Sequence, residues 1–411
     1  MSVSTGATGT PIDLLLDDLA GSRDNNPFDV IEAIDTALVM VNAIIDAPGD
    51  HRFRRIRLSN LNFHERLGHV KHGVDLFRRI GFQPDASDSD FIVLPPDSDD
   101  AGRSQTLTSV RQARLAMIKR RKQLALQTDG IPRLSDTHTW VSVRQAGLAH
   151  SVGRRPANED DYVMVDGFAG DPRCGLFCVY DGHGGREAVD FVVRSFHENL
   201  SWIMSRRRKQ DATTPSCIEA AYLYTDAQLR RRSILESGVT VATVLFVDEG
   251  GDRVLYSANA GDTRAVLASW DATSNRVVSK RLSMDHKPSL ASEVARVKDA
   301  GGFIAGNRVN GVLAVSRALG DHVLKPSVSA VPHISASPRH VLTGDDRFVI
   351  AACDGIWDVM TDDDAALFVN DQLAAAAPTE GNPAGRAASA LVTRAFEKQS
   401  MDNLTAIVIT L

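Results

Sequence analysis

Acidic residues at the ends of five apolar runs are the places in this sequence where chemistry could lie. The run Leu176 to Tyr180 reads as a buried strand and leads into Asp181-Gly182-His183-Gly184. Glycines there permit a tight backbone that sets a carboxylate, a carbonyl and an imidazole at one mouth. Glu159-Asp160 follows Arg155-Pro-Ala-Asn, Asp262 lies in Ala258-Asn-Ala-Gly-Asp-Thr-Arg264, Asp354 and Asp358 share Asp354-Gly-Ile-Trp-Asp358, and Asp402-Asn403 precedes the last apolar run. Alone, Asp181 reads equally well as a turn residue capping a helix near Arg186. Together these acids read differently, because carboxylates gathered at strand ends suffer desolvation and mutual repulsion that cations relieve. Asp, Glu and a backbone carbonyl make an all-oxygen donor set, which favours Mg2+ or Mn2+ over zinc.

Bringing such distant stretches together calls for a sheet framework. Strands are predicted at Trp140 to Gln145, Tyr162 to Val165, Leu176 to Tyr180, Val239 to Val247, Val254 to Ala258, Arg264 to Ala268, Phe348 to Ala352 and Leu404 to Ile409. Helical spacing is predicted over Arg186 to Met204, Ile218 to Leu235, Leu290 to Ala300, Asp363 to Ala375 and Gly385 to Phe396. In the first of these, Val189, Val192, Val193, Phe196, Leu200 and Ile203 share one face. Strand pairs with helices between groups imply an α+β fold of antiparallel sheets covered by helices.

The 411 residues allow two or three domains. A net charge of -6 argues against a nucleic-acid or membrane-surface partner. The basic clusters Lys119 to Lys122 and Arg206 to Lys209 read as solvated helix faces. The first residues lack the basic and apolar regions of a secretory signal, and no apolar stretch is long enough to span a bilayer, so a cytosolic or nuclear protein is expected. Cys174, Cys178, Cys217 and Cys353 have no CxxC spacing and read as reduced core thiols.

Residues 1–24 read as a polar leader. After them, Phe28, Ile31, Ile34, Leu38, Val41, Ile44 and Ile45 recur at helical spacing. Residues 85–104 read as loop apart from Phe91 to Leu94, Leu107 to Leu126 as a basic amphipathic helix, and 126–139 as a linker. The run FRRIRLSNLNFHERLGHVKHGVDLFRRIGF, followed by FIVLPP, resembles the PUB domain of peptide N-glycanases over residues 25–125. That resemblance implies a small, mostly helical domain that grips the carboxy-terminal tail of the AAA unfoldase called valosin-containing protein. Arg52, Phe53 and Asn60 would line the tail pocket, with Phe53 standing where the family often has Tyr. The plainer reading makes Phe53 a core residue and Arg54, Arg55 and Arg57 a solvated helix face.

Residues 140–411 resemble the PPM family, the PP2C-type serine/threonine protein phosphatases. The resemblance is carried by Arg155 to Asp160, Val179 to Gly185, Ser237 to Thr240, Ala258 to Arg264, Asp285 to Pro288, Asn307 to Gly311, Leu313 to Asp321, Asp354 to Asp358, and Asp402-Asn403. It implies a β-sandwich of two antiparallel sheets flanked by helices, with two metal ions. Glu159, Asp181 and the carbonyl of Gly182 would hold one ion, and Asp181, Asp354 and Asp402 the other. Arg155 would bind the phosphate and His183 would protonate the leaving alkoxide. Asp160 would orient neighbours, and Asp262 and Asp358 would serve a weaker third ion or structure alone. Asp285-His-Lys-Pro288 reads as a turn before a helix, without a role in catalysis.

Two other readings stay open at this point. A scaffold that has lost catalysis would show a substituted ligand, and none is visible. A different metallophosphoesterase would carry a GNH[DE] run, which is absent. No cysteine begins a C-x5-R loop, which disfavours a cysteine nucleophile.

Overall fold

The structure is a computed structural model that describes residues 10–97, 99–128, 138–207, 212–335, 339–375 and 381–411. The chain divides into two units, Met1–Gly130 and Ile131–Leu411.

Thr10 opens the amino-terminal unit. Its hydroxyl caps the Asp13 amide while its own amide donates to the Asp13 carboxylate at 3.1 Å, and Pro11 takes the first helical position. The helix that follows, α1 (Pro11–Gly21), buries Ile12, Leu15, Leu16 and Leu19. Residues 11–21 are therefore not a polar leader: apolar side chains at i, i+3, i+4 and i+7 make a core-facing stripe despite the acids between them. The same core takes in Ile31, Ile34, Val41 and Ile44 of α2 (Pro27–Asp46), and Val110, Ala113, Met117 and Leu124 of α5 (Asp100–Thr128). The loop expected up to residue 104 gives way to helix at Asp100, and residues 129–137 of the expected linker lie outside the described residues.

Between these helices, β1 (Arg55–Arg57), β3 (Phe91–Val93) and β2 (Gln83–Pro84) pair antiparallel in that order. The helical turns α3 (Leu61–Phe63) and α4 (Asp75–Ile80) bring Phe63 within 6.0 Å of Phe77, which meets Phe82 edge-on at 5.4 Å. Arg54 is buried against Asp97 rather than spread on a solvated helix face.

Two antiparallel sheets build the carboxy-terminal unit. The first orders β14 (His333–Ile334), β8 (Asp252–Ala260), β7 (Gly238–Glu249), β6 (Gly175–His183) and β5 (Asp160–Asp166), with β13 (Leu319–Gly320) and β15 (His340–Val341) added at β7 and β8. The second orders β10 (Arg276–Arg281), β9 (Arg264–Asp271), β16 (Asp346–Ala352), β17 (Leu404–Thr410) and β4 (Gln145–Ser151).

Period-two alternation assigns each face. Leu267, Val349, Ala351, Ile407 and Ile409 turn inward to meet Phe177, Val179, Val244 and Phe246 of the opposite sheet. Their neighbours Val266, Ile350, Ala352, Ala406 and Val408 turn outward onto α9 (Asp354–Trp357), α10 (Asp362–Ala375) and α11 (Pro383–Glu397). On the other side, α6 (Glu187–Arg207) and α7 (Thr214–Arg231) cover the first sheet, where Phe196 lies 6.4 Å from Tyr180 and 5.0 Å from Tyr222.

A smaller lobe forms around α8 (Ala291–Asp299) and the hairpin β11 (Ile304–Ala305) and β12 (Arg308–Val309), with Val297, Val309, Val315, Ala318 and Val328 as its core. Buried Glu293 of α8 accepts from Arg317 and Arg296, which also reach the carbonyls of Val331, Ser316 and Ser327.

Two expectations for this unit change, and one strand is added. The strand expected at Trp140 to Gln145 begins instead at Gln145, because Asp166 accepts the amides of Val141 and Ser142 and holds that segment in a bend. Asp181, Gly182 and His183 do not form the turn, since β6 continues through them opposite Thr240, Val239 and Gly238. The turn falls on Gly184 and Gly185, both with positive φ. The strand β10, whose alternation is masked by Arg and Lys, completes the second sheet.

Candidate active site

Antiparallel order brings the acidic stretches together. The start of β5 lies beside the end of β6, and Asp160 pairs directly with Asp181. Asp262 sits in the turn from β8 to β9, Asp354 opens α9 just after β16, and Asp402 lies two residues before β17. Because β16 and β17 are antiparallel neighbours, the last two share one end of the sandwich. Carboxylate oxygens of Asp181, Asp262 and Asp354 lie within 4.8 Å of one another. They open on a cleft of about 420 Å³ that Arg155, Glu159, Gly182, His183 and Asp402 also line.

The electrostatics are those of a site built for positive charge. Burial, and then the charges of Asp354, Asp160, Asp262 and Asp402, hold Asp181 well above the ordinary carboxylate range. Burial, followed by Asp262 and Asp402, does the same to Asp354. Asp262 is pushed up to about 6, chiefly by burial. Asp160 lies below the cleft and is also raised by burial to about 6, although its carboxylate accepts from the Thr405 hydroxyl at 2.6 Å. Such a set relaxes when cations neutralise it, and its hard oxygen donors suit Mg2+ or Mn2+. The residues therefore fit a metal centre.

The remaining cleft residues are held by local bonds. Glu159 accepts the Gly185 amide at 3.0 Å through its side chain and the Gly182 amide at 3.2 Å through its carbonyl. A Cβ on Gly182 would lie 2.5 Å from that carbonyl oxygen, so close approach of backbone rather than a turn explains this glycine. Arg155 reaches Asp402 at 2.6 Å from the rim. His183 Nε2 lies 2.8 Å from a carboxylate oxygen of Asp321. Burial alone would lower the His183 pKa, but that bond and the charges of Asp321, Asp262 and Glu159 raise it overall.

Two residues of the site had no role assigned to them from the sequence. Asp321 follows Gly320 and has φ of 50°, so it reads as a turn residue; a free imidazole's need for an acidic partner was the available signal. Asn403 accepts the Glu159 amide at 2.9 Å and donates to the carbonyls of Val152 and Ala157. It thereby clamps the loop that carries Arg155 and Glu159.

Other expected site residues lie elsewhere. Asp358 is exposed and stands outside the cleft, linked to Asp262 through Lys287. Arg52, Phe53 and Asn60 belong to the amino-terminal unit. Arg52 forks onto Asp50 at 2.7 Å, Phe53 is exposed rather than a core residue, and Asn60 accepts the Phe63 amide at 3.1 Å as a helix cap.

Comparison with known proteins gives the family. The family model for protein phosphatase 2C matches residues 147–404, and that for the PUB domain matches residues 29–107. Protein phosphatase 2C homolog 1 of Schizosaccharomyces pombe is 36% identical over 287 residues, covering 69% of this chain and 76% of its own length. Probable protein phosphatase 2C 59 of Oryza sativa subsp. japonica is 38% identical over 271 residues, 64% of this chain and 74% of that protein. The serine-threonine phosphatase 2C from Toxoplasma gondii shares the fold, with TM-score 0.54 at 21% identity over 68% of this chain and 97% of that one. A C. elegans sex determining protein matches in fold over 97% of this chain and 94% of its own, with TM-score 0.59 at 20% identity. The chain belongs to the protein phosphatase 2C family, a family of protein serine/threonine phosphatases, and carries a PUB domain ahead of the phosphatase domain.

Proposed function

We propose that the carboxy-terminal unit hydrolyses phosphoserine and phosphothreonine in proteins with the help of two Mg2+ or Mn2+ ions. Glu159, Asp181, the Gly182 carbonyl, Asp354 and Asp402 would hold them, and Asp262 with Asp358 would serve a weaker third. Such ions, when bound, supply Lewis acidity and a water acidified enough to attack phosphorus near neutral pH. The observation that carries this reading is the gathering of Asp181, Asp262 and Asp354 within 4.8 Å in the cleft that Arg155 and His183 line.

The chain's own groups then divide the work. Arg155, tethered to Asp402, offers a planar fork to the phosphate oxygens of a dianionic monoester. His183, whose pKa the Asp321 contact helps to raise against burial, holds a proton for the departing alkoxide. With Nε2 engaged by Asp321, Nδ1 is the nitrogen left to deliver it. Asp160, fixed by Thr405, supports the strand end from beneath.

Leaving-group dependence tests the proton donor. With His183→Ala, kcat on a phosphothreonine peptide falls by roughly 10²–10³, while turnover of p-nitrophenyl phosphate, whose phenolate leaves without help, changes little. Equal losses on both substrates would remove His183 from that role.

For the amino-terminal unit we infer a peptide-docking role, with the acidic tail of a valosin-containing-protein-type unfoldase as ligand and the cytosol or nucleus as its setting. The exposure of Phe53 and Arg52 supports this. Arg52→Glu and Phe53→Ala each weaken binding of such a tail peptide by about tenfold or more in fluorescence anisotropy; unchanged affinity in both would reject the pocket.

A further inference from the structure

Lys287 belongs to the run Asp285 to Pro288, to which no catalytic role was given. Its ammonium lies 3.2 Å from Asp358 Oδ1 and 3.6 Å from Asp262 Oδ2. Asp262 is also one of the three clustered carboxylates of the cleft, so Lys287 joins the outer acid to the inner set. Burial works against the charged amine, yet Asp262, Asp358 and Asp354 outweigh it and raise its pKa.

The backbone that delivers this amine is fixed. The His286 amide donates to the Gly261 carbonyl at 2.9 Å, the Met284 amide to the Asn259 side chain at 3.1 Å, and the Ser316 amide to the His286 carbonyl at 2.8 Å. The side chain is different: it is 40% exposed, and its four-carbon stem can swing toward solvent without breaking any of those bonds. A divalent ion bridging Asp262 and Asp358 would claim the carboxylate oxygens that the ammonium now contacts. Two cations cannot share them without strong repulsion.

We infer that Lys287 is a tethered counter-ion that competes with divalent metal for the position between Asp262 and Asp358. It sets the affinity of that outer position, which fills only when the ammonium leaves. Among the described residues Lys287 pairs with Asp262 and Asp358 and not with Asp181, Asp354 or Asp402, and Asp354 feels its charge only at longer range, so its removal acts most strongly on the outer position. This inference rests on the metal reading proposed above.

Mn2+ binding to the full chain tests it without any assay of turnover. Free Mn2+ is counted by its electron paramagnetic resonance signal during titration of the wild type, Lys287→Met, Lys287→Gln and Lys287→Met/Asp358→Asn. Removing the ammonium tightens the weakest Mn2+ site about fivefold and shifts the tighter sites less. The glutamine variant keeps a hydrogen-bond donor toward Asp358, so it reports the same loss of charge should the methionine variant be poorly folded. In the double variant the gain disappears, because the outer carboxylate is gone. Identical isotherms for wild type and Lys287→Gln would overturn the inference, as would tightening that survives Asp358→Asn. A wild-type chain that binds no Mn2+ would overturn the metal reading beneath it as well.

Discussion

His183 does not act alone, because Asp321 reaches it across the first sheet at 2.8 Å. Replacing Asp321 with Asn keeps the shape and removes a charge that raises the imidazole pKa. We expect kcat on a phosphothreonine peptide to fall about 10–100-fold, with KM nearly unchanged and the basic limb of the pH–rate profile displaced to lower pH. A profile that keeps its basic limb would assign Asp321 to structure only. Gly182→Ala should be more severe, since the new Cβ would stand 2.5 Å from the Glu159 carbonyl oxygen. The acids themselves were legible at this scale, because each borders an apolar run. Asp321 and Asn403 were not: one reads as a turn residue, and the other acts through backbone groups far away in sequence.

At the scale of elements, Glu293 is the group on which the lobe beside the cleft depends. Burial works against its charge, but Arg317, Ser316 and Arg296 outweigh burial and bring its pKa down from 4.5 to about 2. A depressed carboxylate stabilises the fold fully above its unfolded value and loses that contribution as pH falls through its folded one. The unfolding free energy of the wild type should therefore exceed that of Glu293→Gln by about 3 kcal/mol at neutral pH, with the gap closing between pH 4.5 and 2. Denaturant unfolding at several pH values measures it, and a gap independent of pH would contradict the assignment. In the amino-terminal unit, Leu16→Ala on α1 should cost about 3 kcal/mol, because Leu16 is 1% exposed; a change below about 0.5 kcal/mol would return the segment to the status of a polar leader.

Why some elements were legible and others not follows from their packing. The strands β6, β7, β16 and β17 carry near-continuous apolar runs because both faces are covered. By contrast, α1 hides four apolar residues among Asp and Gly. Trp140 looks like strand, but its ring packs 5.3 Å from Phe177 while Asp166 bends its backbone. The glycines after Asp181 suggested a turn, whereas one of them is there to let the Glu159 carbonyl approach.

At the scale of the whole molecule, each unit has its own core, and the site residues of the phosphatase all lie in Ile131–Leu411. A fragment of that unit should release phosphate at a rate within about threefold of the full chain, while tail-peptide binding stays with Met1–Gly130. None of the described helices is long and apolar enough to cross a membrane.

Phosphate release should depend on metal held by the clustered carboxylates. The most direct test is release of phosphate from a phosphothreonine peptide by the full chain, after chelation and then across a Mn2+ titration, for the wild type and Asp181→Asn. We expect no release after chelation, recovery with Mn2+ in the wild type, and loss by about 10³ or more in the variant. Release that persists after chelation, or that Asp181→Asn retains at saturating Mn2+, would contradict it.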